Sequence, residues 1–347
     1  MEKGIVFPLQ LGELSEDGAT PWSSKMGLGT PVQEFKFMID SGTDNTWVTS
    51  RACTTNACMA HGRFDATKSE TYQVLDPEPV QKDFGPWGIM TVVMGSDIFT
   101  LDLPDGTRAK TRDKMHFEAA THYTGCQFQE LACDGGIAIP SPYWKKEGTT
   151  EALMLQLLKD GKIDKPLACF WTDEGKGVGE CTIGFDDPRK YKPETLHWLP
   201  LQDTSGSSLD YLWAVKLDAF LVDGQTTGAS VKNFVLDSGS SFFKGPSDLI
   251  GALVSAVTEN GALPTYVSSE KELDRYPEIQ LLLGEKNYKL EPRQYFLKLN
   301  EEYWELGIQV LDGMPEGMLL VGSLFLDMVY AIFDYGAKRI GFADRSR

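Results

Sequence analysis

The chain has 347 residues, with 33 Lys and Arg against 50 Asp and Glu, a formal charge of −17, and 41% apolar and 24% charged residues. This is the composition of a folded globular protein rather than a disordered one, and the length suits about two domains. The acidic excess repels nucleic acid and anionic membrane surfaces, so neither is expected as a partner.

Taken in chain order, the opening Met1-Glu2-Lys3-Gly4 has no basic stretch ahead of an apolar run, so no signal peptide is read there. Short segments rich in Val, Ile, Phe and Thr, bounded by Gly, Pro, Asp and Asn, then predict strands at Glu34–Ile39, Ile89–Met94, Ile98–Leu103, Trp213–Leu221 and Val329–Phe333. Asp105-Gly106 and Asp223-Gly224 have the composition of hairpin turns. Helical spacing is confined to two places. Thr150–Lys159 carries Leu153, Met154, Leu157 and Leu158, with Gly161 as a stop; Pro246–Glu259 starts at a Ser247 cap and carries Leu249, Ile250, Leu253, Val254 and Val257. The most apolar stretch, Met318–Phe333, is interrupted by Ser323 and Asp327 and falls short of the ~20 residues of a membrane span. The reading is a mostly β chain with few short helices.

The six cysteines fall into three close pairs, and three sequential bridges, Cys53–Cys58, Cys126–Cys133 and Cys169–Cys181, form the simplest of the 15 pairings open to them. Such bridges point to an oxidising compartment, secreted or vacuolar, while the missing leader leaves the cytoplasm open. Only four His are present, none at helical ligand spacing, and no Cys-x-x-Cys occurs, so no metal and no cofactor is expected.

The informative feature is an internal repeat. Phe37-Met38-Ile39-Asp40-Ser41-Gly42-Thr43 returns 197 residues later as Phe234-Val235-Leu236-Asp237-Ser238-Gly239-Ser240. Each copy is followed, at a similar distance, by an apolar segment containing glycine, Asp134–Ile139 in the first case and Leu319–Ser323 in the second. By chance Asp-(Ser/Thr)-Gly should occur only ~0.2 times in such a chain. Two copies at half-chain separation therefore imply two related lobes, 1–188 and 189–347, with a boundary near Asp187–Lys192. A strand that ends in Asp-Ser-Gly presents a carboxylate at the mouth of a sheet, and the glycine allows close approach of a twin. If the lobes are related by a two-fold axis, Asp40 and Asp237 meet on it. Two carboxylates in contact cannot both ionise easily, so they share a proton and supply an acid and a base together. The flanking hydroxyls can hold them in a fixed plane.

At these residues the chain resembles the pepsin-like aspartic proteases, and the resemblance covers nearly its whole length. Met26–Gln33 is similar to the family's strand before the first Asp, Trp47 stands seven residues after Asp40, Cys53–Cys58 resembles the small disulfide loop, and Phe64–Tyr72 matches the segment that ends in Ser-x-Thr-Tyr. Phe242–Pro246 is similar to the stretch after the second Asp, and Val329–Asp334 with Ile340–Ala343 resembles the C-terminal signature. The resemblance implies a bilobal pepsin-like β fold acting as a monomer, with an extended peptide or protein substrate in a long cleft. It also implies an aspartic endopeptidase with an acidic optimum that activates water between Asp40 and Asp237. Thr43 and Ser240 would hydrogen-bond the outer carboxylate oxygens, and Ser41 and Ser238 would grip across the lobes. The family's flap is a hairpin with a Tyr near its tip. Here that region reads Phe84-Gly85-Pro86-Trp87, so Phe84 replaces the Tyr, without its hydroxyl, and Trp87 is a candidate source of an N–H beside Trp47. The disulfide usual in the second lobe is absent, since no cysteine follows Cys181. The altered flap leaves two other readings: proton-transfer chemistry on a small-molecule substrate, such as a cyclisation or dehydration, and a non-catalytic binding protein. The intact pair of Asp-Ser-Gly motifs speaks against the last.

Overall fold

The computed structural model describes residues 3–14, 18–84, 87–103, 107–125, 127–144 and 152–346. The strand that carries the first repeat, Gln33–Asp40, buries Phe35, Phe37 and Ile39 on one face and leaves Glu34 and Lys36 exposed, the alternation of a sheet with one face in the core. It pairs antiparallel with Trp22–Leu28 and parallel with Gly135–Ala138, so that Ala138 stands opposite Asp40. The second repeat is built alike. Asn233–Leu236 runs parallel to Met318–Val321 and sets Leu236 opposite Val321, one residue before Asp237. The two glycine-bearing segments marked by the repeat are therefore the parallel neighbours of the two aspartate strands. Glycine is required there by space: a Cβ on Gly135 would lie 2.3 Å from the Trp47 carbonyl oxygen, and one on Gly322 2.3 Å from that of Ser240.

One sheet joins the two halves of the sequence. Its neighbouring strands run His197–Pro200, Arg339–Asp344, Val329–Asp334, Leu167–Asp173, Val178–Ile183 and Ile5–Leu11, and it continues through Trp22–Leu28 to the first aspartate strand. The C-terminal strands thus pair with strands from the first half of the chain, through Leu167–Phe170 against Ala331–Asp334. Side chains reinforce the junction: Trp213 Nε1 donates to the Ile139 carbonyl at 2.8 Å and Ser141 Oγ to that of Asp210 at 2.5 Å. Behind this frame a continuous apolar core includes Phe7, Phe37, Phe99 and Phe117 from the first half and Phe234, Phe243, Phe325 and Phe342 from the second.

Most predicted elements are present, with shifts that have physical causes. Trp213–Leu221 divides into Ala214–Lys216, which pairs with the second aspartate strand, and Ala219–Val222, which joins Ile279–Leu283 in a different sheet. The change of sheet falls at Asp218, whose N–H donates to the Leu282 carbonyl and whose carboxylate accepts from the Gly284 N–H. The helix Ser247–Val257 buries Leu249, Ile250, Leu253 and Val257, but its N-cap is Pro246, and Ser247 lies inside the first turn without a capping bond. The other helix covers Leu153–Lys159; its predicted start at Thr150 lies outside the described residues. Asp223 and Gly224, at φ 47° and 73°, form the expected two-residue hairpin, with Val222 opposite Gln225. The Asp105-Gly106 turn lies outside the described residues.

The disulfide reading is corrected. Cys53–Cys58 is formed, with a Cα separation of 5.9 Å. Cys169 and Cys181 are free buried thiols. Their strands pair with Cys169 opposite Thr182 and Cys181 opposite Phe170, so the two sulfurs lie on opposite faces of the sheet and cannot meet. Cys133 is also a free thiol, in contact with the backbone N–H groups of Met38 and Gly135, so the bridge to Cys126 is not made; Cys126 itself lies outside the described residues. Burial pushes the Cys133 and Cys169 thiols up to about 12, which makes them poor nucleophiles.

Candidate active site

The two parallel strand pairs deliver Asp40 and Asp237 to the floor of one cleft between the halves of the molecule, where they are only 6% and 8% exposed. Each carboxylate is held by its own loop: the Gly42 N–H donates to Asp40 Oδ1 at 2.7 Å, and the Gly239 N–H to Asp237 Oδ1 at 2.8 Å. Each glycine also faces the opposite acid. A Cβ on Gly42 would lie 2.3 Å from Asp237 Oδ1, and one on Gly239 2.3 Å from Asp40 Cγ. Any side chain at either position would push the pair apart.

The serines between the acids and these glycines bond reciprocally from one loop to the other. Ser41 N–H donates to Ser238 Oγ at 3.0 Å while Ser41 Oγ donates to the Leu236 carbonyl at 3.0 Å. Ser238 reciprocates, N–H to Ser41 Oγ at 2.9 Å and Oγ to the Ile39 carbonyl at 2.7 Å. Four bonds from a pair of buried residues thus lock the two loops together. Thr43 and Ser240 differ from expectation. Thr43 Oγ1 accepts from the N–H and Nδ2 of Asn45, and Ser240 Oγ donates to the Gly18 carbonyl at 3.2 Å, away from the acids. What Ser240 offers Asp237 is its backbone N–H.

Electrostatics follow from this geometry. Burial, and next the neighbouring Asp237 charge, hold the Asp40 carboxyl well above the usual carboxylate range. Burial also raises Asp237, against the pull of the nearby Lys244 ammonium. The pair is therefore held toward the protonated side of the ordinary carboxylate range, with the Lys244 ammonium opposing this at both acids. Tyr211, which also lines the cleft, is pushed up to about 12 by burial and by the acids around it.

The flap is the hairpin of Gln73–Asp83 with Ile89–Asp97. Phe84 meets Trp47 edge-on at 6.2 Å, stacks on Trp87 at 6.2 Å, and contacts Phe128 at 5.9 Å. Trp87 is buried in this aromatic cluster and contributes through ring packing. Gly85 lies outside the described residues. Next to the flap's turn, opposite Met90, Lys82 forms a 3.0 Å ion pair with the fully buried Glu118 and donates to Asn45 Oδ1 at 3.2 Å.

The cleft, of about 360 Å³, thus gathers Asp40, Gly42, Thr43, Phe84, Trp87, Asp237, Gly239 and Ser240. Trp47 supports the flap residue from beneath, and the Cys53–Cys58 loop lies outside the lining. Among the described lining residues, Asn45, Tyr211, Lys244 and Asp312 were not singled out from the sequence. For Lys244 a signal existed: it is a lone charge in an apolar strand seven residues after Asp237.

The profile of the eukaryotic aspartyl protease family matches residues 22–345. The chain belongs to that family. This aspartyl protease is 27% identical over 330 residues to gastricsin of Cavia porcellus, covering 92% of this chain and 79% of that one. It is 27% identical over 325 residues to cathepsin E of Aquarana catesbeiana, with 92% and 78% coverage, and 25% identical over 337 residues to pepsin B of Canis lupus familiaris, with 92% and 80%. The match runs through both halves, so the protease carries aspartic endopeptidase activity on a mostly β, pepsin-like fold.

Proposed function

We propose that this protease hydrolyses peptide bonds with Asp40 and Asp237 as its catalytic pair, at acidic pH and without cofactor. The observation that carries the reading is the reciprocal geometry of the two Asp-Ser-Gly loops, each glycine set against the opposite carboxylate. A substrate water between the acids gives a proton to the ionised member. Its oxygen attacks the scissile carbonyl carbon, and the neutral member gives its proton to the carbonyl oxygen, forming a gem-diol. Return of a proton to the amide nitrogen breaks the C–N bond and leaves an acid and an amine.

The substrate is a peptide in extended form, its backbone lying under Phe84 and across Asp40 and Asp237, with apolar side chains beside the cut received by Leu212, Met314 and Leu320. Nucleic acid and membrane surfaces are disfavoured by the −17 charge, and no helix among the described residues is long and apolar enough to cross a membrane. The protein acts as a monomer, since both acids come from one chain, in an oxidising compartment, which the Cys53–Cys58 bridge favours. Cleavage of a denatured protein at pH 3 to 5 tests the central reading. Asp40→Asn and Asp237→Asn should each lower the rate by at least 10³-fold while circular dichroism shows the fold intact. Undiminished cleavage by either variant would refute the assignment.

A further inference from the structure

Tyr211 lines the cleft together with Asp40 and Asp237 and is half-buried there. The backbone that carries it is tied on both sides to the segment just beyond Gly135–Ala138, the parallel neighbour of the first aspartate strand. The Tyr211 carbonyl accepts from the Ser141 N–H at 2.8 Å, and before it the Asp210 carbonyl accepts from Ser141 Oγ at 2.5 Å. After it, Trp213 Nε1 donates to the Ile139 carbonyl at 2.8 Å, and Ile139 in turn donates its N–H to the Asp40 carbonyl at 2.7 Å. The ring is thus mounted on a support that leads directly back to one of the two acids.

Its hydroxyl sets this tyrosine apart. A phenol drawn into a protein ordinarily finds a partner for its O–H. Tyr276 and Tyr295 donate to the Pro264 and Pro277 carbonyls at 2.5 and 2.6 Å, and Tyr123 shares a 2.6 Å bond with Thr49. No described residue hydrogen-bonds the Tyr211 hydroxyl, on which Asp44, Asp237, Asp40 and Asp210 act through charge alone. The Tyr288 hydroxyl also lacks a hydrogen bond, but it is sealed in the interior, whereas that of Tyr211 is open to solvent. Other side-chain donors around the cleft are committed within the protein: Asn45 to Thr43, and Ser240 and Lys244 to the Gly18 carbonyl. Burial and the surrounding acids push the Tyr211 phenol up to about 12, so it keeps its proton throughout the acidic range and is a standing O–H donor.

A peptide that enters the cleft in extended form gives up water, and each backbone carbonyl it brings must meet a donor or be buried at a cost. Phe84 has no donor in its side chain, and Trp87 is engaged in ring packing. We propose that Tyr211 is a substrate-binding residue of the proteolytic reaction, its O–H donating to a backbone carbonyl of the peptide at one of the two amides that flank the scissile bond. The inference rests on the proteolytic reading above and adds to it a contact that the acid pair does not make. Because the contact goes to backbone, it serves peptides of any side-chain sequence, and it fixes the scissile carbonyl in register with Asp40 and Asp237.

The test uses a fluorogenic octapeptide with apolar residues at the cut. In companion peptides either flanking amide is replaced by an (E)-alkene, which removes its carbonyl, or by an ester, which keeps a carbonyl and removes only the N–H. Tyr211→Phe should lower kcat/KM for the parent peptide by about tenfold, the loss of one hydrogen bond made in a water-poor site, with an unchanged melting temperature. One of the two alkene peptides should be cleaved about tenfold more slowly than the parent by the wild type, and no more slowly still by Tyr211→Phe, while its ester counterpart stays sensitive to the substitution. Cleavage of the parent by Tyr211→Phe within about twofold of the wild-type rate would overturn the proposal. So would an equal loss on the parent and on both alkene peptides, which would make the hydroxyl a support of the fold or of the acid pair rather than a partner of the substrate. Should Tyr211→Phe lose its fold, the wild type decides: neither alkene peptide cleaved more slowly than its ester counterpart overturns the proposal as well. Failure of the wild type to cleave the parent peptide at any pH would instead refute the proteolytic reading on which the proposal stands.

Discussion

At the scale of the residue, the acid pair has a cost that depends on pH. An unfolded Asp titrates near 3.9. In the folded protein burial raises both Asp40 and Asp237, and the Asp237 charge raises Asp40 further. Between the unfolded and folded values the native state binds more protons than the unfolded one. The pair's contribution to stability is therefore fully present below about pH 4 and is lost as pH rises through the folded value. Removing one charge should relieve that loss. Asp40→Asn is expected to lose less stability than the wild type between pH 4 and pH 7, measured as the difference in melting temperature by calorimetry. An equal or larger loss in the variant would contradict the burial and repulsion assigned to the pair.

At the scale of the element, the flap depends on a tether that no motif announces. Lys82 extends from the flap strand to Glu118, fully buried in the neighbouring strand Met115–Tyr123. Lys82→Met would leave that carboxylate without its ion-pair partner, and a loss of ~3 kcal/mol in urea unfolding near neutral pH is expected, with a rise in KM as the flap loosens. An unchanged unfolding midpoint would show that the pair carries no weight. The sequence was a good guide where residue type and backbone need coincide: Asp-Ser-Gly at two sheet mouths, Asp223-Gly224 in a tight hairpin, five apolar residues along one helix face. It was a poor guide where pairing partners decide. Gln73–Asp83 holds Pro77 and Pro79 and is exposed along most of its length, so its pattern does not read as a strand. It persists as an edge strand whose register shifts between Val74 and Asp76 and between Asp76 and Val80. The Cys169–Cys181 bridge failed for a related reason, because closeness in sequence says nothing about which face of a sheet each residue takes. Thr43 and Ser240 were placed correctly beside the acids, but the partners of their hydroxyls, Asn45 and Gly18, are set by loops that meet only in the folded molecule.

At the scale of the whole molecule, one repeat motif, two strand pairs and one continuous sheet combine to place two acids from distant parts of the chain in contact. The shared sheet anchors both halves, and the Ser41–Ser238 bonds fix the loops at its open end. The central claim is that this arrangement keeps a single proton between Asp40 and Asp237 and that catalysis needs that state. The pH dependence of kcat/KM for a peptide with apolar residues at the cut, followed from pH 2 to pH 8, tests it most directly. The expected profile is a bell with its maximum below pH 6, falling at low pH as the pair gains a second proton and at higher pH as it loses its only one. A rate that still rises through pH 7 would contradict it.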